Sequence, residues 1–283
     1  MRPADSFGRR RAMENVRDEE VCGLTLDYSE NDHVILDIYG ASDVGCVREL
    51  NEDSFCIYGF DRERTPGFCV LSDGMGGHNA GEVASQKTVQ FVAEELMEAM
   101  SEPVCRAVPK CLNEAVYTAN EKVYAMAMEN QNQRGMGATL VAACIAYGEA
   151  YVANVGDSRA YAYRNNTLMQ ITKDHSVVEE MVANGTITRE EARIHPQKNI
   201  ITRAIGTDPV TEADIFEYDY LPGDCLLLCS DGLSGMVEDE EILQVLEQGE
   251  SAEKSALALI EKAKAYGGRD NITVICIRFI QEG

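Results

Sequence analysis

The chain has few basic residues and no long apolar run. Lys and Arg number 25 against 48 Asp and Glu, so the formal net charge is −23. An acidic excess of this size disfavours nucleic acid and anionic membranes as partners, because both are polyanions. No apolar run approaches the ~20 residues of a membrane span, and the arginine-rich segment from Met1 to Asp18 lacks the apolar region of a signal peptide. We therefore expect a cytoplasmic protein that binds neither nucleic acid nor membranes.

The cysteines lack the spacing of a zinc or redox site. No two of the 10 cysteines stand in a Cys-x-x-Cys pattern. Several lie in apolar segments, where cysteine behaves as a small hydrophobic residue; these are Cys69, Cys144, Cys225, Cys229 and Cys276. This usage does not indicate a disulfide scaffold, and a reducing cytoplasm is its simplest interpretation.

Length and composition are those of a soluble globular protein. The 283 residues are 45% hydrophobic and 26% charged, which is enough apolar material for a sizeable core. We expect residues 1–33 to form a flexible N-terminal tail and residues 34–283 to form a single domain. Residues 174–206 are polar, contain two short helical patterns and are predicted to be an insertion in that domain.

Helical and strand patterns occur in blocks along the chain. Apolar residues recur with a helical period over 82–100 and again over 107–130. Three strand patterns then follow closely over 139–164 and predict an antiparallel meander. Segregated strands and helices favour an α+β fold with antiparallel sheets over a doubly wound parallel fold. Pairs of helices are then expected to cover the outer faces of two packed sheets.

Two apolar segments of strand length end in the same tripeptide. Phe68–Gly74 and Cys225–Gly232 both run into Ser-Asp-Gly, which predicts a buried strand that carries a carboxylate to its end. Asp-Gly is also typical of a hairpin turn, but a glycine-rich stretch and a helical pattern follow the first tripeptide. Two further acids have a similar setting, since Asp157 follows an apolar strand pattern and Asp270 precedes one. Four unrelated turns explain this less well than one shared site.

Convergence of these acids predicts a metal site. Like charges that lie close together raise one another's pKa, and a divalent cation relieves the repulsion. Ligands that are all oxygen suit Mg²⁺ or Mn²⁺. Two such ions ~3.5–4 Å apart can bind an attacking hydroxide and neutralise a substrate phosphate. The candidate ligands are Glu52, Asp53, Asp73, Asp157, Asp231 and Asp270.

Seven short motifs occur in order along the chain. They are Ser42–Ser54, Ser72–His78, Gly137–Leu140, Asn154–Arg159, Thr172–Ser176, Ser230–Gly232 and Asp270–Thr273. Together they resemble the metal-dependent serine/threonine protein phosphatases of the 2C type (the PPM family) in their compact bacterial form. The resemblance covers roughly residues 34–279. It implies an α-β-β-α sandwich with a dinuclear Mn²⁺ or Mg²⁺ centre that hydrolyses phosphoserine and phosphothreonine with a metal-bound water.

The resemblance also implies a role for each candidate ligand. Asp73, Asp231 and Asp270 would hold the first ion. Asp73, the carbonyl of Gly74 and Asp53 would hold the second ion, with Glu52 beside them through water. Asp157 would share a weaker third ion with Asp231.

Further expectations follow from the resemblance. Arg48 would bind the substrate phosphate, a role that suits its planar fork of donors; the alternative is a surface ion pair with Glu49 or Glu52. Met75 stands where many relatives have a histidine proposed as the general acid, and His78 is the only candidate offered in its place. Residues 174–206 would form a flap beside the active site. The expected partners are phosphorylated proteins, among them a serine/threonine kinase and its substrates, and the chain is expected to be a monomer.

Other functions fit the residues less well. The glycine-rich stretch after Asp73 lacks both the Lys-Ser/Thr ending of a P-loop and the third glycine of a dinucleotide fingerprint. Cys56 and Arg62 have the spacing of a cysteine-dependent phosphatase, but bulky side chains and Asp61 stand between them. A phosphatase-like binding module without catalysis is the alternative of another class, and the complete set of metal motifs argues against it.

Overall fold

The computed structural model describes residues 21–27, 34–60, 67–76, 80–101, 107–146, 148–249 and 251–281. The strands are β1 (Val21–Asp27), β2 (Val34–Asp43), β3 (Asp53–Tyr58), β4 (Gly67–Met75), β5 (Gly137–Ala138), β6 (Leu140–Ala146), β7 (Glu149–Val155), β8 (Arg159–Arg164), β9 (Thr167–Gln170), β10 (Asp214–Tyr218), β11 (Cys225–Cys229) and β12 (Ile272–Gln281). The helices are α1 (Ala80–Ser101), α2 (Val108–Glu129), α3 (Val177–Ala183), α4 (Arg189–Ile194), α5 (Asp231–Ser234), α6 (Asp239–Glu247) and α7 (Ala252–Ala265).

The strands form two antiparallel sheets. One sheet has the order β1-β2-β12-β11-β8-β9, and the other has the order β10-β7-β6-β4-β3, with β5 paired to the end of β4. Helices α1 and α2 pack on the outer face of the second sheet, while α6 and α7 cover the first. A third apolar cluster fills the space between the sheets. This arrangement confirms the predicted α+β class and the α-β-β-α sandwich.

The apolar runs are continuous because both faces of the central strands are covered. On β4, Phe68 and Val70 pack toward the helices, whereas Cys69 and Leu71 point into the space between the sheets. The helices show the period that a single covered face requires. On α7, for example, the buried positions include Ala252, Ala256, Leu259, Ile260 and Ala263.

One expectation about the strands is wrong. The three consecutive strand patterns do not form a meander, because β6 and β7 pair in one sheet while β8 lies in the other, between β9 and β11. The turn after Val155 therefore crosses from sheet to sheet, and strand spacing alone does not distinguish such a crossing from a hairpin. In addition, β1 lies inside the segment expected to be a tail and pairs along its whole length with β2. Residues 1–20 and 28–33 lie outside the described residues.

Two further observations concern the cysteines and membrane spans. The five cysteines expected to be hydrophobic core residues are all buried and free. Cys111 on α2, in contrast, is disulfide-bonded, which the interpretation of uniformly reduced cysteines did not anticipate. In the part of the chain that the structure describes, no helix is both long and apolar enough to cross a bilayer.

Candidate metal centre

The predicted acids lie at strand ends, on the same end of both sheets. In an antiparallel sheet, the end of one strand lies beside the start of its neighbour, and Asp53 at the start of β3 pairs with Asp73 near the end of β4. In the other sheet, Asp231 follows the end of β11 after one residue, and Asp270 precedes β12, the antiparallel neighbour of β11. Asp157 lies in the turn from β7 to β8, and this turn connects the two sheets at that end. The fold thus brings together carboxylates that are far apart in sequence.

Burial and mutual repulsion destabilise the charged form of these carboxylates. Burial, opposed in part by two hydrogen bonds, raises the pKa of Asp53 to about 7. Burial and the charge of Asp231 raise the pKa of Asp157 to about 8. The pKa of Asp231 rises to about 6 through burial and the charge of Asp270. Burial and four neighbouring aspartates hold the pKa of Asp73 well above its usual range. A cluster with this much unfavourable negative charge favours a cation.

Two buried carboxylate oxygens in the cluster have no protein partner. Oδ2 of Asp53 accepts hydrogen bonds from Ser230 Oγ at 2.8 Å and from Thr273 Oγ1 at 2.6 Å, whereas Oδ1 accepts none. Oδ1 of Asp231 is likewise buried without a hydrogen bond. Unsatisfied buried polar atoms are rare, and an ion explains such a pair. The residues therefore fit a divalent cation, although no group of three His, Cys, Asp or Glu in the described ranges stands ready as a preformed ligand set.

Close backbone packing places Glu52 next to Gly74. The N–H of Gly74 donates to the carbonyl of Glu52 at 3.0 Å. A Cβ at Gly74 would collide with the carbonyl oxygen of Gly81, and a Cβ at Gly81 would lie 2.8 Å from the carbonyl oxygen of Gly74. Glycine at both positions is therefore required for this approach. Burial raises the pKa of Glu52, as it does for the neighbouring aspartates.

Side chains without a predicted role hold the loops in place. Asn271 accepts the N–H of Glu52 at 2.8 Å and donates to the carbonyls of Val44 and Leu50, both at 3.0 Å. It thereby fixes the connection from β2 to β3. Ser230 and Thr273, which bind Asp53, were likewise not predicted to contribute. All three lie inside the quoted motifs, so the motifs were the signal that could have identified them.

Thr139 links two of the segments that carry candidate ligands. Its hydroxyl accepts the N–H of Asp73 at 3.0 Å, and its own N–H donates to the carbonyl of Asp73 at 2.8 Å. The same hydroxyl lies 2.7 Å from the hydroxyl of Ser158. The end of β4 and the turn that carries Asp157 are therefore connected through one buried threonine.

Arg48 lies at the exposed rim of the cluster. Its Nη2 binds Oδ2 of Asp270 at 2.9 Å, and its Nη1 lies 3.7 Å from Oε2 of Glu52. The ion pair with Glu52 was the alternative considered from the sequence, while the stronger contact with Asp270 was not anticipated. Arg48 is 46% exposed, so part of its donor fork faces solvent.

Three further positions were singled out from the sequence. His78 lies outside the described residues, and Met75 ends β4. Cys56 lies within β3, opposite Val70, and an extended strand cannot wrap its backbone around a phosphate. The structure therefore gives no support to a cysteine-dependent mechanism.

Comparisons with known proteins identify the family to which this chain is similar. A family model described as Protein phosphatase 2C matches residues 39–272. The serine/threonine phosphatase stp of Listeria welshimeri is 39% identical over 236 residues, which are 83% of this chain and 93% of that protein. The solved catalytic domain of the serine/threonine protein phosphatase PstP, in complex with two manganese ions, has a TM-score of 0.76 at 38% identity and covers 88% of this chain and 100% of its own. Stp1 from Staphylococcus aureus has a TM-score of 0.76 at 35% identity, with 97% and 100% covered.

The chain belongs to the protein phosphatase 2C family. The match spans most of the described sandwich, and the relatives are covered almost completely by this chain. The resemblance inferred from the seven motifs is thereby confirmed, together with the class of serine/threonine protein phosphatase.

Proposed function

We propose that the protein hydrolyses phosphoserine and phosphothreonine in proteins with the help of two Mn²⁺ or Mg²⁺ ions. The observation that carries this proposal is the pair of unsatisfied carboxylate oxygens on Asp53 and Asp231 inside a buried acidic cluster. When bound, the ions neutralise the substrate phosphate and lower the pKa of a water that attacks phosphorus. The known relatives support the same assignment, since PstP was solved with two manganese ions.

Each residue of the cluster has a proposed role. Asp73, Asp231 and Asp270 hold the first ion. Asp73, the Gly74 carbonyl and Asp53 hold the second, with Glu52 acting through water. Ser230 and Thr273 orient Asp53 so that its other oxygen is left for the ion. A weaker third ion is assigned to Asp157 and Asp231, which lie close enough for the charge of one to raise the pKa of the other.

Phosphate release from a phosphothreonine peptide tests the proposal. We expect activity in the presence of Mn²⁺. EDTA should abolish this activity, and an excess of Mn²⁺ should restore it. The Cys56→Ser variant is the control and is expected to behave as wild type. Activity that resists EDTA and is lost in Cys56→Ser would overturn the two-ion mechanism. Binding of the phosphopeptide without phosphate release in Mn²⁺ would instead establish a non-catalytic binding module.

Arg48 is proposed to bind the substrate phosphate. The Arg48→Ala variant is expected to lower kcat/KM by roughly 10- to 100-fold, mainly through KM, because a hydrogen bond to a charged group contributes about 1.5–3 kcal/mol. Arg48→Lys should lie between Ala and wild type, since Lys keeps the charge and loses the planar fork. Steady-state kinetics on the phosphothreonine peptide provide the measurement. Lys110→Ala removes a positive charge from the exposed surface of α2 and is the matched control; an unchanged kcat/KM in Arg48→Ala would refute the role.

We also propose phosphorylated serine/threonine kinases and their substrates as the physiological partners, and a monomeric state in the cytoplasm. The protein-phosphatase class supports the first part. Incubation with an autophosphorylated serine/threonine kinase should remove phosphate from the kinase, whereas a phosphotyrosine peptide should remain intact. Retention of all kinase phosphate under conditions in which the phosphothreonine peptide is hydrolysed would reject this partner.

A further inference from the structure

The ring of His175 binds the residue that precedes Asp157. Nδ1 of His175 accepts the N–H of Gly156 at 3.0 Å, and the His175 N–H donates to the Gly156 carbonyl at 2.9 Å. His175 is 8% exposed, so these hydrogen bonds are shielded from water. Gly156 has φ +103°, and a Cβ there would approach Cβ of Thr139 at 2.8 Å. Glycine at position 156 therefore permits both the backbone conformation before Asp157 and the close approach of Thr139.

The residue two positions after Asp157 is held by the neighbour of His175. The guanidinium of Arg159 binds the carboxylate of Asp174 in a fork, with Nε to Oδ1 at 3.0 Å and Nη2 to Oδ2 at 2.7 Å. Consecutive residues at the start of the predicted flap, Asp174 and His175, thus hold both sides of the turn that carries Asp157.

The same histidine connects the two ends of the predicted flap. We call these ends the stem of the flap; they comprise His175 at the start and Thr202 and Arg203 near the end. Its Nε2 lies 3.2 Å from Oδ2 of Asp214 on β10, and Oδ1 of Asp214 accepts Nη1 of Arg203 at 2.8 Å. The carbonyl of His175 accepts the N–H of Thr202 at 2.7 Å. The two ends of residues 174–206 are therefore joined through one imidazole ring and its partners.

The hydrogen-bond partners of the His175 ring determine its tautomer. An imidazole nitrogen that accepts an N–H cannot carry a proton, so Nδ1 of His175 is unprotonated and Nε2–H donates to Asp214. Burial lowers the pKa of His175, which agrees with a neutral ring at pH 7. The contact with Asp214 is therefore a hydrogen bond from a neutral imidazole and not an ion pair.

We propose that His175 is a positioning residue for the third-ion site: by accepting the Gly156 N–H it directs the Asp157 carboxylate toward Asp231, and through Asp214 it couples ion binding there to closure of the flap stem. The proposal rests on the third site assigned above. Because such a coupling is reciprocal, an ion at Asp157 also stabilises the closed stem. Both ring nitrogens of His175 are engaged, by Gly156 and by Asp214, so the ring is not itself proposed as a ligand.

Two isosteric substitutions separate the roles of the two ring nitrogens. An Asn amide oxygen occupies the place of Nδ1, whereas a Gln amide nitrogen occupies the place of Nε2. The His175→Asn variant is expected to keep third-ion affinity within about threefold of wild type, and His175→Gln to lose about tenfold, which lies within the usual range of coupling between sites. The measurement is equilibrium Mn²⁺ binding, with free Mn²⁺ counted by electron paramagnetic resonance. Asp157→Asn, which removes the ligand itself, shows what complete loss looks like.

The outcomes distinguish this proposal from the proposed function. Equal third-ion affinity in His175→Asn and His175→Gln overturns the positioning role. Wild-type protein that binds only two ions also overturns it, while Mn²⁺-dependent phosphate release from the peptide would leave the proposed function intact.

A second variant guards against unfolding of the buried substitutions. Asp214 is 42% exposed, and Asp214→Ala leaves the His175 ring in place while removing its acceptor. We expect faster hydrogen exchange at the Gly156 amide and a third-ion affinity lowered about threefold, which is a weaker coupling than that of the ring itself. Unchanged exchange at Gly156 would refute the coupling to the flap stem.

Discussion

The Asp73→Asn variant is expected to lose roughly 10³-fold in kcat/KM and, at pH 8 without metal, to unfold at a higher temperature than wild type. The loss corresponds to about 4 kcal/mol of transition-state stabilisation, because each 1.36 kcal/mol is tenfold in rate. Asp73 is the one carboxylate proposed to ligate both catalytic ions. An amide there keeps the shape of the side chain and removes the charge that draws the ions together.

The gain in stability has a separate cause. The charged form of Asp73 is disfavoured by burial and by Asp53, Asp231, Asp157 and Asp270 together. A neutral side chain removes this repulsion. If the cluster serves function, the substitution lowers activity and raises stability. If Asp73 were purely structural, the substitution would lower both activity and stability.

Kinetics in Mn²⁺ and thermal unfolding in EDTA test the two halves. Glu114→Gln removes a negative charge from the exposed surface of α2, where Glu114 is 65% exposed, and should change neither quantity. Near-wild-type activity in Asp73→Asn would exclude Asp73 as a bridging ligand. A lower unfolding temperature would show that the acid stabilises the metal-free fold.

The metal-free protein is expected to become less stable as the pH rises from about 4 to 8. In the folded state the pKa values are about 6 for Asp231, about 7 for Asp53 and about 8 for Asp157, whereas an unfolded Asp has a pKa of about 3.9. Between these limits the folded state binds more protons than the unfolded state. The free energy of unfolding therefore falls with rising pH and levels off once the acids are ionised in both states.

Divalent ions should reverse this dependence. Mn²⁺ binds the ionised carboxylates of the folded protein, so its stabilising effect should be larger at pH 8 than at pH 5. Denaturant unfolding in EDTA and in Mn²⁺, at intervals between pH 4 and 9, gives both curves. Asp53→Asn should flatten the curve in EDTA, whereas Glu114→Gln should leave its slope unchanged. A metal-free protein whose stability rises across this range would contradict the buried, protonated cluster.

Much of the fold could be predicted because one physical signal dominated each element. The run before Asp73 and the run before Asp231 are apolar on both faces, since sheet and helix layers cover them, and each was recognised as a buried strand. Residues 107–130 showed a clean helical period, and the structure has a helix over Val108–Glu129. The metal site could be predicted from the sequence for a related reason, because an acid at the end of a buried strand has no simple structural role.

The parts that were missed depend on contacts between distant residues. The hydrogen bond from Thr273 to Asp53 joins residues 220 positions apart, and no local pattern reports it. Strand β10 lies at an edge of its sheet and is only partly buried, so it lacks a continuous apolar run. Helix α5 is 4 residues long, too short to show a period. The crossing between sheets after Val155 was missed because a turn sequence does not reveal which strand comes next to it in space.

The position of the acids on two separate sheets has a consequence for the choice of ion. Asp53 and Asp73 belong to one sheet, while Asp231 and Asp270 belong to the other, so their separation is set by the thickness of the apolar layer between the sheets. Mg²⁺ demands short ligand distances and a nearly ideal octahedron. A larger side chain in that layer, for example at Val141 or Ala143 on β6, would widen the gap between the two pairs of carboxylates. Metal preference in this protein is therefore open to tuning from its hydrophobic interior, at positions that never touch an ion.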